Sequence, residues 1–341
     1  MGLFSFTKEI AIDLGTANTI IIHNDKIVID EPSIVAIDVR TGKMVAVGNE
    51  AQLMLGKETR EIRVVRPLRQ GVIADFNAAE MMIRGLIAKA SQKNRWFNPS
   101  MRMVVGIPSG STEVEVRAVR DSSEHAGGRD VYMLHEPMAA ALGIGIDVVA
   151  PEGNMIVDIG GGTTEVAVVT GGGVAVSKSL KIAGDTCDKA IAEYIRKKFN
   201  VLIGESTAEE IKLEIGSAHE STDVGMLEVR GRNLATGLPS VFNIYTKEIH
   251  EAISEPISAI VDVIKAALEE TPPELCADLY DNGITLSGGG ALLPGLGTLI
   301  HEKTKLPIYI ANHPLDCVAE GICKVMKSRG YNNLLEEVKK V

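Results

Sequence analysis

Met155-Ile-Val-Asp-Ile-Gly-Gly-Gly-Thr-Thr-Glu-Val-Ala-Val-Val169 reads as a strand, a glycine turn and a second strand. Three successive glycines, Gly160, Gly161 and Gly162, let backbone N–H groups converge on one point, a nest suited to a phosphate. Asp158 ends the first strand, where a phosphate-bound Mg²⁺ needs oxygen ligands, reached through water. The competing reading is a tight hairpin whose glycines only supply positive φ. On this stretch alone the two stand level.

A second copy tips the balance. Ile10-Ala-Ile-Asp-Leu-Gly-Thr-Ala-Asn-Thr-Ile-Ile-Ile22 aligns without a gap, Asp13 on Asp158, Gly15 on Gly160, Asn18 on Thr163 and Thr19 on Thr164. Such an internal repeat predicts an α/β protein of two related half-domains facing each other across a cleft. Phosphate clamping becomes the leading reading.

At 341 residues the chain is long enough for two domains with sizeable cores. A formal charge of −10 argues against a nucleic-acid partner, which a basic surface would have to hold. Cys187, Cys276, Cys317 and Cys323 form no C-x-x-C pair, so free thiols in a reducing cytoplasm are expected and structural zinc is not. No apolar run reaches transmembrane length, and the N-terminus lacks a signal-peptide pattern. Phe6 stands where a myristoylation signal needs Ser or Thr, so Met1–Thr7 reads as a tail or strand extension, with weak membrane contact as the second reading.

Along the chain, Ser33–Val39 and Met44–Val47 alternate as a hairpin within a small insertion. Asn77 is expected to cap a helix running to Lys93. Trp96-Phe97 follow in a turn flanked by Lys93, Arg95 and Arg102, read evenly as a buried loop anchor or an interfacial membrane anchor. Thr112-x-x-Glu115 and Thr207-x-x-Glu210 are capping boxes that open two further helices. Glu136 precedes Pro137 at a strand-to-helix junction: either an acid favoured at a helix N-terminus or a functional group aimed at the cleft. A long helical pattern covers Thr246–Glu269 with a break near Pro256, and a closing helix spans Leu315–Lys327. Ser287-Gly-Gly-Gly-Ala291 follows a buried strand and would let a flat ring or phosphate approach its backbone. Neither a Walker A sequence nor the Rossmann glycine spacing occurs.

Together these motifs resemble the actin superfamily, which includes sugar kinases and heat-shock chaperone ATPases, and within it the bacterial actin MreB family with its Mbl-like paralogues. The specific pieces are Ile12–Thr19, Glu136–Ala141, Asp158–Glu165, Thr207–Lys212, Gly231–Pro239 and Leu286–Gly295. The resemblance implies an actin-like ATPase fold. Its first half-domain would span 1–145 with an insertion at about 33–66, and its second 146–314 with an insertion at about 182–245. Residues 315–341 would return to the first half as C-terminal helices.

It implies that ATP binds in the interdomain cleft, with Gly15, Thr16, Ala17, Asn18, Gly160, Gly161 and Gly162 on the phosphates and Asp13 and Asp158 orienting Mg²⁺ through water. Glu209 and Lys212 would lie against the nucleoside, and Gly288, Gly289, Gly290 and Ala291 would back adenine and ribose. Glu136 and Thr163 would position the attacking water. Trp96 and Phe97 would insert into the membrane. The implied activity is ATP hydrolysis coupled to polymerisation into paired filaments on the inner face of the cytoplasmic membrane, guiding cell-wall synthesis and rod shape. Implied partners are further copies of the chain, MreC, MreD, RodZ and the elongation synthases. Two departures stand out: His135, usually an acid, and Cys187, usually a larger apolar residue. An actin-fold small-molecule kinase is the alternative. It would need an acceptor pocket with its own base, and only Glu136 offers one. A chaperone ATPase would need a peptide-binding domain beyond Val341.

Overall fold

The computed structural model describes residues 8–91 and 101–335. The chain forms two compact units, one of Met1–Pro151, Val169–Val174 and Leu315–Val341, the other of Glu152–Val168 and Ala175–Pro314.

The first unit carries a five-stranded sheet of β1 (Lys8–Leu14), β2 (Asn18–His23), β3 (Lys26–Pro32), β4 (Met101–Ile107) and β5 (Gly128–His135), in the order β5-β4-β1-β2-β3. β1 pairs antiparallel with β2 and parallel with β4, and β4 is parallel to β5. The central strands are continuously apolar because both faces are covered: Ile10, Ala11 and Ile12 are buried, as are Met103, Val104 and Val105. Helices α1 (Phe76–Ser91) and α2 (Glu113–His125) belong to this unit, and Met82, Ile83 and Leu86 of α1 share a core with Ile12, Met103 and Met133. The α2 capping box forms as expected: Glu115 N donates to Thr112 Oγ1 (3.3 Å) and Thr112 N donates to Glu115 Oε2 (2.7 Å). For α1 the expected cap is wrong by two residues. The helix starts at Phe76, and Asp75 Oδ1 accepts from Ala78 N at 3.0 Å, leaving Asn77 inside the first turn. The insertion forms a small sheet of Met44–Val47, Val35–Asp38 and Ile62–Val65 over its own core of Ile34, Ala36, Ala46 and Ala51.

The second unit repeats the plan. Its sheet of β6 (Asn154–Ile159), β7 (Thr164–Thr170), β8 (Gly173–Leu180), β9 (Ile284–Ser287) and β10 (Ile308–Ile310) runs β8-β7-β6-β9-β10. Read from the other edge, the first sheet has the same order, with β6 in the place of β1 and β7 in that of β2. β9 is parallel to both β6 and β10, as β4 is to β1 and β5. The repeat seen in two short turns therefore extends through two whole sheets.

Before Glu136, which opens α3 (Glu136–Ile144) in the first unit, the backbone is extended at His135, and Pro137 fits the first helical turn. In the second unit α4 (Gly184–Phe199) and α5 (Glu205–Ile215) follow β8. Thr207 does not open α5. The helix begins at Glu205 behind an extended Gly204, without a side-chain cap, and Thr207 lies within its first turn. Nor does Pro256 break α6 (Thr246–Glu270), which runs unbroken. Proline costs one backbone donor, but its ring is buried beside Ile253, Ile257 and Ile260 on the apolar face. Two helices went unread, α7 (Pro273–Asn282) and α8 (Leu296–Thr304), as did β10.

The closing helix α9 (Cys317–Lys327) packs on α3 in the first unit. A Cβ on Gly143 would overlap the Cys317 carbonyl, and one on Gly321 would overlap the Ala139 carbonyl, so the two helix backbones touch. Lys324 Nζ donates to the carbonyls of Leu142 (2.7 Å) and Gly143 (3.0 Å), satisfying the end of α3.

Candidate functional site

In the first unit the β1–β2 turn is shaped by steric demand and by Ser33. A Cβ on Gly15 would stand 2.6 Å from the Asn18 carbonyl oxygen, so a side chain there would open the turn. Ser33 Oγ donates to the Gly15 carbonyl (2.6 Å), and Ser33 N donates to the Ala17 carbonyl (2.8 Å). Thr19 Oγ1 lies 2.8 Å from Ser33 Oγ, which steadies that hydroxyl. The turn's carbonyls are thus drawn toward Ser33. Among the described residues no backbone carbonyl accepts from the amides of Gly15, Thr16 or Ala17. Thr16 Oγ1 accepts from Gly71 N (3.0 Å) and Asn18 Nδ2 donates to Asp30 (3.0 Å), so both side chains brace the turn. Asp13 lies at the end of β1, half-buried, and Glu136 is buried at the start of α3.

In the second unit the turn after β6 follows the same logic with different partners. Gly160 N donates to the Thr163 carbonyl (2.9 Å) and closes the turn. The start of α4 takes the outward carbonyls: Gly184 N donates to Gly160 O (3.2 Å) and Asp185 N to Gly161 O (2.8 Å). No backbone carbonyl among the described residues accepts from the amides of Gly161, Gly162 or Thr163. Thr163 is buried, and Thr164 Oγ1 donates to the Ile182 carbonyl (2.8 Å). Two turns whose carbonyls are engaged on one side present N–H groups on the other, the arrangement an anion requires.

Asp158 is buried at the end of β6, where Ser287 Oγ donates to its Oδ1 at 2.7 Å. Burial pushes its carboxyl above the usual range, and the Ser287 hydrogen bond opposes that only in part. A desolvated carboxylate beside a phosphate-type turn fits Mg²⁺ or its bound water as an oxygen partner. Ser287 was not singled out as a partner for Asp158, because β9 lies far away in sequence and only the parallel β6–β9 register brings the two together.

The glycines after Ser287 answer first to packing. Gly288 sits at φ +76°, and a Cβ on either Gly288 or Gly290 would overlap Ile159. Ala291 is buried. On α5, Lys212 Nζ donates to Asp188 Oδ2 (2.9 Å) and lies 2.8 Å from its Oδ1, while also donating to the Gly184 carbonyl (3.2 Å). Asp188 escaped the sequence reading altogether. Burial pushes its carboxyl up to about 6 despite the Lys212 charge, and Glu209 and Asp185 add to the rise. The neighbouring Cys187 thiol is pushed up to about 11, mainly by burial.

Asp13, Gly15–Asn18 and Glu136 thus belong to the first unit, and Asp158, Gly160–Thr163, Glu209, Lys212 and Gly288–Ala291 to the second. Trp96 and Phe97 lie outside the described residues. Each unit thus carries a glycine turn with inward-facing amides and an Asp at the end of the strand before it, and the first unit adds the buried Glu136.

A profile of the family described as MreB/Mbl protein matches residues 7–333. The Cell shape-determining protein MreB of Escherichia coli K12 is 48% identical over 327 residues, covering 94% of each chain. The Cell shape-determining protein Mbl of Bacillus subtilis 168 is 44% identical over 317 residues, covering 93% of this chain and 95% of that one. Among solved structures, MreB5 of Spiroplasma citri bound to ADP is 36% identical with a TM-score of 0.89, covering 97% of this chain and 99% of that one. A MamK double helical filament, at 18% identity and a TM-score of 0.78 over 94% of this chain and 99% of that one, shares the actin-like fold. The two Asp-bearing turns on like-ordered sheets and these matches agree: the chain belongs to the MreB/Mbl family.

Proposed function

We propose that the chain is an ATP-hydrolysing bacterial actin whose polymerisation sets cell shape. The observation that carries this is the duplicated turn, in which neighbouring backbone and Ser33 engage the carbonyls and the amides are left for phosphate. The turns at Gly15–Asn18 and Gly160–Gly162 bind ATP phosphates, and Asp13 and Asp158 are the carboxylates that would hold Mg²⁺ through water. Mg²⁺ supplies charge neutralisation on the phosphate oxygens. Glu136 accepts a hydrogen bond from the attacking water and Thr163 orients it. Glu209 and the Gly288–Ala291 turn serve the nucleoside side.

The named relatives support the cellular role, since both are cell shape-determining proteins. Spiroplasma MreB5 structures with ADP and with AMPPNP support the nucleotide. On this reading the chain forms paired protofilaments on the inner face of the cytoplasmic membrane. It acts there with MreC, MreD, RodZ and the elongation synthases to direct peptidoglycan synthesis. Trp96 and Phe97 serve as its peripheral anchor; among the described residues no helix is long and apolar enough to cross a membrane. Two aromatic anchors bind weakly, but subunits in one filament add by avidity. Membership of a family of cell-shape proteins weighs against the small-molecule kinase.

The test is single-turnover hydrolysis. Wild type should release phosphate from ATP, and Glu136→Ala should slow that step on the order of a hundredfold while ATP affinity holds. An unchanged rate in the variant would remove Glu136 from the water, and no hydrolysis by wild type would remove the ATPase reading.

A further inference from the structure

Lys212 is separated from the second phosphate turn by two peptide groups, and their geometry is continuous. Its Nζ donates to the Gly184 carbonyl (3.2 Å), the Asp185 N–H of that same peptide donates to the Gly161 carbonyl (2.8 Å), and that second peptide carries the Gly162 N–H. All the described peptides are trans, so each unit holds its C=O and N–H pointing in opposite directions. Charge at one end of such a chain polarises every bond along it. The relay is close-packed at Gly184, where a Cβ would lie 3.3 Å from Lys212 Nζ and 3.4 Å from Gly160 O.

We propose that Lys212 and Asp188 are positioning residues of the phosphate turn, with the Asp188 carboxylate fixing an ammonium that strengthens the Gly162 N–H as a phosphate donor through the Gly184–Asp185 and Gly161–Gly162 peptides. This rests on the reading of Asp158–Thr163 as a phosphate site. It differs from a direct nucleoside contact in what Lys212 has to spare, since two of the three ammonium donors are committed to Asp188 and Gly184. The groups facing Asp188 are Lys212 and Glu209 from α5, with Asp185 and the Cys187 thiol on its own helix. From α6, Glu248 and Glu251 engage Lys198 and Tyr194 toward the other end of α4. With the Asp188 carboxyl titrating at about 6, the clasp is charged and closed above that pH and opens as pH falls through it.

The experiment displaces a fluorescent ATP analogue with ATP and, separately, with inorganic tripolyphosphate, in wild type, Lys212→Gln, Asp188→Asn and the double variant. Each single variant should weaken both ligands by the same factor, about two- to threefold for polarisation relayed through two hydrogen bonds, and the double should lose little more. Below pH about 6 wild-type affinity should fall more steeply than that of Lys212→Gln, whose remaining fall reflects protonation of the ligand's own terminal phosphate. Should Asp188→Asn fail to fold, Lys212→Gln alone carries both comparisons. A loss confined to ATP would make Lys212 a nucleoside contact and overturn the inference, as would unchanged affinities in folded variants. Wild type that binds ATP but not tripolyphosphate overturns it as well. Wild type that binds neither ligand overturns the nucleotide reading itself.

Discussion

Replacing Asp158 by Asn should stabilise the empty protein while disabling it. The carboxylate is buried at the end of β6, with the Ser287 hydroxyl as its donor at 2.7 Å. An Asn at this position keeps an acceptor for Ser287 and loses the charge. Desolvating an ion costs several kcal/mol, and the Ser287 hydrogen bond offsets about 1–2 kcal/mol, so removing the charge should return about 2 kcal/mol. For a unit of this size that corresponds to a rise in Tm of about 4–8 °C.

The sign is checked by pH. Asp158 has a folded pKa raised above its unfolded value, so its protonation-linked stabilisation is full below the ordinary carboxylate pKa and is lost as pH rises through the raised value. Wild type should therefore lose stability, relative to Asp158→Asn, as pH climbs through that window. The assay is thermal unfolding in EDTA without nucleotide, repeated with Mg²⁺ and ATP. Wild type should gain Tm from Mg²⁺-ATP, and the variant should gain far less. A variant less stable than wild type in EDTA, or one with full Mg²⁺-ATP stabilisation, would refute the reasoning.

Three further experiments probe other parts. Gly288→Ala places a Cβ against Ile159 at a residue with φ +76°, and should cost about 2–4 kcal/mol, read from urea unfolding. Iodoacetamide at neutral pH should leave Cys187 unmodified in the native protein, because its buried thiol is pushed up to about 11; peptide mapping that finds it alkylated as fast as in urea would contradict this. Replacing Trp96 and Phe97 together by Ser should lower liposome binding severalfold or more without changing Tm. If instead the double variant unfolds, the pair anchors a loop within the protein.

Much of the candidate site was legible because its pattern is local. The acid, glycine and hydroxyl positions of each turn sit within a few residues, and the two copies point to one architecture that the matched sheet orders bear out. The α2 capping box was legible for the same reason, both halves lying three residues apart. What stayed hidden was set by distant chain. Ser287 reaches Asp158 across parallel strands, and Lys212 reaches Asp188 from one helix to the next. Thr207-x-x-Glu210 had the letters of a cap, yet the helix starts two residues earlier, behind Gly204. Pro256 promised a break that the buried face of α6 overrides. Proline is well placed at a helix start, and Pro273 opens α7 behind Pro272.

On the proposed function, ATP drives this chain into filaments on lipid. Sedimentation with anionic liposomes tests it most directly, comparing ATP with no nucleotide at high protein concentration. ATP should move the protein into the lipid pellet as filaments visible by negative-stain microscopy, and far less should pellet without it. Protein that stays monodisperse in ATP and leaves the liposomes bare would contradict it.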